Sequence, residues 1–308
     1  MLNLIRNEWL KLWTKKGTWV MVILIAVLMV ASAGIGKWMS TMGEQTDWKQ
    51  TASLELKTID QELNSGVDSS NLKDQKRILE HRIENNLPPV QPYTAQEYIL
   101  DVPSMLSIVT LFTVIVGAGM IATEFSTGTI KMLLTRPVKR WKILASKLLT
   151  MSLFATVLTA ITLGLGIITS YLFFDNTPAY ILEATNGEII EISFWGRVLL
   201  LTVLSLVNVL VISVMAFMIG SVFRSSSLAI GISIFLLFMG TNITYLLSMK
   251  FEFAKYILFA NTDLSQFIGG EPFIEGLTLP FSISVLVIYT VVFLVISFVT
   301  FNKRDITA

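Results

Sequence analysis

Side chains able to do covalent or metal chemistry are scarce in this sequence. It has no cysteine and a single histidine, His81, which excludes disulfides, thiolate metal sites, a cysteine nucleophile and a histidine cluster. Gly36-Lys37 resembles the end of a phosphate-cradling loop, but Trp38 stands where that loop needs Ser or Thr. Gly117 and Gly119 fall inside an apolar run and read as close helix contact rather than a dinucleotide loop. The polar residues within apolar runs include Asn208, Asn242, Thr156, Thr159 and Thr162. Most suit hydrogen bonds between helices; Asn208, Asn242, Thr156 and Thr159 are the candidates for lining a substrate path. No catalytic residue, bound cofactor or metal is expected, and the chain should hydrolyse no nucleotide by itself. The one chemically dense stretch is TEFSTGTIKMLLTRPVKRWKILASK, Thr123–Lys147, where 6 of 25 residues are Lys or Arg and Glu124 is the only acid.

That stretch is set in an apolar chain. Of 308 residues, 53% are hydrophobic and 15% charged, against about a quarter charged in a soluble domain. A mean hydropathy of +0.68 fits a bilayer as solvent. Crossing its hydrocarbon core takes roughly 20 apolar residues. Six runs free of Asp, Glu, Lys and Arg qualify, at about 18–36, 103–123, 148–174, 198–223, 225–249 and 278–301. The runs are continuous rather than alternating, so they read as helices, not barrel strands. The fold class is therefore an all-α integral membrane protein with six transmembrane helices. Lys15, Lys16 and Ala31-Ser32-Ala33 imitate a signal peptide, yet the first apolar run is long enough to span and reads as the first helix.

Basic residues orient the spans. With the N-terminus in the cytoplasm, inner segments hold 13 Lys and Arg against 3 acids, and outer segments 10 against 19. Most outer cations also lie in the long 39–102 loop, where they count least. Both termini are expected in the cytoplasm, the protein in the cell membrane.

Residues 1–17 place Leu2, Ile5, Trp9, Leu12 and Trp13 at three- and four-residue spacing, with Arg6, Asn7, Lys11 and Lys15 toward the other side. This predicts an interfacial helix, apolar face in the lipid and cations toward headgroups. In the 39–102 loop, Trp48, Ala52, Leu56, Ile59 and Leu63 make one helical stripe. Leu72, Leu79, Ile83 and Leu87 make another after the breaker at 64–71. An extracytoplasmic helical hairpin is expected, followed by a capping box at Thr94 and Glu97. Gly269-Gly270 and Pro272 predict irregular or short re-entrant structure in 250–277.

The basic stretch then falls in the cytoplasm between spans two and three, broken at Arg136-Pro137. Before the break, a short helix presents Ile130, Met132, Leu133 and Leu134 to water, and such a face wants a partner's groove. Lys139, Arg140 and Lys142 suit lipid headgroups. Nucleic acid is not expected, because these cations sit against the membrane.

Glu124, Gly128-Thr129, Leu133-Leu134, Arg136-Pro137, Arg140 and Lys147 resemble the pattern that follows the second span in type-2 ABC transporter permeases. The bacterial branch related to bacitracin-resistance and sodium-extrusion permeases looks closest. The amphipathic N-terminus, six spans and cytoplasmic ends are similar too, so the resemblance covers essentially the whole chain; the outer hairpin is longer than in minimal members. It implies an export permease that forms its path as a dimer, homo- or heteromeric, with separate ABC ATPase subunits that bind the ATP. The domains are then an interfacial helix at 1–17 and a six-span permease domain at 18–308, containing the outer loop 39–102 and a coupling segment at 124–147. Glu124, Gly128, Thr129, Leu133, Leu134, Arg136, Pro137 and Arg140 would couple to the ATPase, with Glu124 as a switch pairing with Arg136 or Arg140. Charge-free spans favour an apolar or amphipathic cargo such as a lipid, peptide or antibiotic. The competing class is a membrane scaffold or sensor whose outer hairpin binds a ligand; co-purification with an ATPase separates the two.

Overall fold

A computed structural model describes residues 1–42, 47–65, 70–129, 138–185, 188–223, 225–268, 272, 274 and 276–303. Six helical stretches are long and apolar enough to cross a membrane: Lys16–Ser40, Ala95–Ser126, Arg140–Phe173, Phe194–Val222, Ser226–Ser248 and Leu279–Lys303. They match the six runs expected from the sequence, which overrun a helix end by one residue at most. Side chains such as Ile23, Val27, Phe235, Phe238, Val291 and Val295 are more than half or nearly half exposed along these helices. Apolar surface on that scale requires an apolar solvent.

The contacts divide the chain into two compact units, taken in turn. The first comprises Met1–Ala26, Ser104–Thr162 and Thr202–Ala308. It opens with α1 (Leu2–Trp13) and the start of α2 (Lys16–Ser40). Thr18 turns the chain between them by donating its hydroxyl to the Leu12 carbonyl at 2.6 Å. For the later elements of this unit we write α6 for Ser107–Ser126, α7 for Arg140–Phe173, α8 for Phe194–Val222, α9 for Ser226–Ser248 and α10 for Leu279–Lys303. Short 3₁₀ turns at Glu252–Tyr256, Leu258–Ala260 and Leu264–Phe267 fill the connection before α10; Gly269 and Gly270 lie outside the described residues. Pro280, near the start of α10, stands where a helix needs no backbone N–H.

Helices α6 and α8 meet backbone to backbone. A Cβ added at Gly220 would collide with the Ala118 carbonyl, and one at Gly117 would lie 3.2 Å from the Ser213 carbonyl oxygen. Ser213 closes the same crossing by donating to the Thr113 hydroxyl at 2.8 Å. Gly220→Ala should therefore cost about 1–3 kcal/mol through overpacking, read as a lower midpoint of thermal unfolding in detergent. Gly164→Ala, with nothing within 4 Å of its Cβ, should leave the midpoint unchanged or raised; equal midpoints for the two variants would refute the tight crossing.

The second unit comprises Val27–Pro103 and Leu163–Leu201. It holds α3 (Trp48–Asn64) and α4 (Ser70–Asn85), the two helices the stripes predict. They pack together, with Ala52 and Ile59 buried, and Lys76 bridges to Asp60 at 2.6 Å. Next comes α5 (Ala95–Asp101). Its cap differs slightly from the expected box: Thr94 accepts from the Glu97 N–H, but the Glu97 carboxylate reaches back to the N–H of Tyr93. Pro103 falls in a 3₁₀ turn, Val102–Leu106, that continues α5 toward the second span. Tyr98 anchors this unit, bonding to the Met29 carbonyl at 2.8 Å and stacking on Phe174. An antiparallel hairpin, β1 (Ile181–Thr185) and β2 (Glu188–Ile192), pairs Ile181 with Ile192 and packs on α4. That hairpin is the one addition to an otherwise all-α fold among the described residues.

Candidate functional site

Four charged side chains from three elements of the first unit form one connected network. Lys147, two turns into α7, donates to Glu124 Oε1 at 2.7 Å and to Glu8 Oε2 at 3.0 Å. Lys11 donates to the same Glu124 oxygen at 2.6 Å. Glu8 and Lys11 are three residues apart on α1, so they share one face of that helix. The charges alternate around the cluster and sum to zero.

Burial makes this network consequential. The Lys147 side chain is 1% exposed, Glu124 6% and Glu8 12%. An ammonium group removed from water needs both its charge and its N–H donors answered, and two carboxylates answer Lys147. Glu124 is less fully served: Oε1 takes both lysines, whereas Oε2 is buried with no hydrogen-bond partner among the described residues. Lys11, half exposed, is held above the ordinary lysine pKa. Burial works against its charge, but the bond to Glu124 and the charges of Glu124 and Glu8 outweigh it. Lys15 goes the other way, pushed below the ordinary value by burial and then by Lys11 and Lys147. A cavity of about 420 Å³ adjoins the network, lined by all its members except Lys147 and by Lys15, Thr123, Thr127 and Thr129.

The local sequence explains how Glu124 is presented. It sits two residues before the end of α6, and Gly128, at φ +73°, ends the helix in the left-handed conformation that suits glycine. Thr129 then shares a hydroxyl–hydroxyl bond of 3.0 Å with Thr127. The structure turns Glu124 toward Lys11 and Lys147; Arg136, one of its two expected partners, lies outside the described residues. Arg140 donates instead to the Asn302 carbonyl at 3.2 Å. Leu133, Leu134, Arg136 and Pro137 lie outside the described residues.

On α1, Leu2 is exposed and Ile5 and Trp9 are intermediate, but Leu12 is buried within the protein and Trp13 packs edge-on against Phe154. Lys11, expected among the headgroup cations, faces Glu124. The four candidate path residues are not brought together by hydrogen bonds among the described residues. Asn242 and Thr156 are exposed and bond within their own helices, to Phe238 and Ser152. Asn208 is half-buried on α8, and Thr159 is buried with its hydroxyl unpartnered. Glu8 is a site residue that spacing did not reveal, although it is the only acid in the first 43 residues.

Six long apolar helices with large apolar side chains left exposed along them, and a charge network that sums to zero, define a multi-pass membrane protein. The chain belongs to the family described as "Protein of unknown function (DUF2705)", which matches residues 79–307 and so includes Glu124 and Lys147. It is 40% identical to the uncharacterized protein YhcI of Bacillus subtilis (strain 168) over 315 residues, covering 99% of both chains. It is 28% identical to the uncharacterized membrane protein YdbK of the same organism over 216 residues, covering 68% of this chain and 82% of the relative.

Proposed function

We propose that this chain is the membrane subunit of an ATP-driven exporter in the cell membrane. It works as a dimer with separate ATPase subunits and moves an apolar or amphipathic cargo. The observation that carries this reading is the position of Glu124. It is the last acid before the 125–136 segment and is fixed by salt bridges to α1 and α7, so a pull on that segment is transmitted at once to two other elements. A partner ATPase that closes on ATP would apply such a pull, and the permease would answer by a rigid-body change between two packed states. In this reading 125–136 docks on the ATPase, α1 lies at the cytoplasmic interface with Leu2 and Leu10 in lipid, and the α3–α4 hairpin stands outside. The permease resemblance of Glu124, Gly128-Thr129 and Lys147 supports the same assignment.

Purification from native membranes in mild detergent should bring down an ABC ATPase in stoichiometric amount; repeated purification without one sinks the export reading. Orientation is tested separately. Because the chain has no cysteine, Ser65→Cys and Ser126→Cys each introduce a single thiol. An impermeant maleimide should label Ser65→Cys in intact cells and Ser126→Cys only after lysis. Labelling of Ser126→Cys in intact cells would reverse the orientation.

A further inference from the structure

The second unit contains a cavity of about 780 Å³, between the end of α2, the first turns of α3, the middle of α4 and the 88–94 loop. That volume is within the range of about 300–1,000 Å³ usual for small-molecule sites. Arg82 of α4 lines it and is only 9% exposed. Its recorded contact is one long bond of 3.4 Å to the Leu87 carbonyl, and no carboxylate of the described residues pairs with it. The other two arginines of the unit do have such partners: Arg77 has Asp74 and Arg197 has Glu183. Burial pushes the Arg82 pKa below its ordinary value, as expected for a cation without a countercharge.

The rest of the wall is consistent with a bound molecule. Trp48 and Tyr93 supply aromatic surface. Tyr93 is held at φ +59°, an uncommon conformation for a bulky residue, by the bond from its N–H to Glu97. Strained backbone of that kind concentrates where a side chain must be presented. The wall's three acids, Asp47, Glu55 and Asp175, are exposed; Asp47 caps the Lys49 N–H and Asp175 pairs with Lys37, the wall's other cation, at 3.9 Å, which leaves Arg82 as the cation on this wall without a carboxylate among the described residues. An anionic group is therefore directed to the Arg82 end.

We infer that this cavity binds an anionic amphiphile, its carboxylate or phosphate head on the Arg82 guanidinium and its apolar body against Trp48 and Tyr93. A planar guanidinium with free N–H groups matches such a head in two-point geometry. The inference stands apart from the export reading.

The full chain carrying Thr51→Cys, reconstituted in phosphatidylcholine nanodiscs, places one thiol on the cavity wall. Decyl phosphate should slow maleimide labelling about tenfold, the effect of roughly one charge-assisted bond, whereas decanol should change it little. Arg82→Gln should abolish the protection and Arg77→Gln should keep it. Protection by phosphatidylglycerol built into the nanodisc would make the bilayer the source of the ligand; protection by decyl phosphate alone would make it a soluble amphiphile. Both results support the site. Equal protection by decanol, equal protection by inorganic phosphate, or protection that survives Arg82→Gln would overturn it. Should Arg82→Gln lose its helical circular dichroism, the contrast between decyl phosphate and decanol in the Arg82 protein decides alone.

Discussion

Lys147→Met should cost about 3–5 kcal/mol, the usual penalty for removing one partner of a buried ion pair. The substitution leaves Glu124 and Glu8 facing each other in a site where the side chains are 6% and 12% exposed. Lys11, half exposed, answers only one of them. The expected result is a large drop in the detergent melting midpoint and faster proteolysis of α1, which the network holds in place. The penalty belongs to the stranded carboxylates rather than to a lost attraction. Lys147→Met combined with Glu124→Gln and Glu8→Gln should therefore recover most of the loss. A Lys147→Met protein that melts like the unmodified chain would show that the network contributes nothing to holding α1.

If the chain is the proposed exporter subunit, Leu133→Asp should abolish ATPase co-purification while leaving the folded membrane protein intact. Burying a leucine in a partner's groove contributes about 1.5–3 kcal/mol, equivalent to roughly 10- to 100-fold in affinity. An aspartate adds an unpaired charge to the same groove. Glu124→Gln should act differently. It keeps the shape at the end of α6 and weakens the bonds to Lys11 and Lys147, so assembly should persist while substrate-stimulated ATP hydrolysis is lost. Lys139→Gln, at the cation expected to face headgroups, should behave nearly normally. Measured together in membranes, the three variants separate docking from transmission. Normal assembly and transport by Leu133→Asp would reduce 125–136 to a topological anchor.

The spans were legible because continuous apolar runs have one stable solution in lipid. The α3–α4 pair was legible from its two stripes. The β1–β2 hairpin was not foreseen, although Asn186-Gly187 between two short apolar-rich runs is a strong hairpin signal. It lies in a connector, where a count of spans has nothing to say. In the charge network, Glu124 stood out as one acid among six cations, but its partners did not. Lys11 is 113 residues away, and a lysine flanking an apolar run looks the same whether it reaches for headgroups or for a buried carboxylate. Local spacing favoured Arg140, whereas tertiary packing brings Lys147 to Glu124.

Two positive and two negative side chains in the network also set its response to an electric field. Moving one elementary charge through a full membrane potential of 100 mV is worth about 2.3 kcal/mol. Glu8, Lys11, Glu124 and Lys147 translated as a unit carry no net charge, so that movement is electrically silent, and voltage acts on the network only where the four turn or come apart.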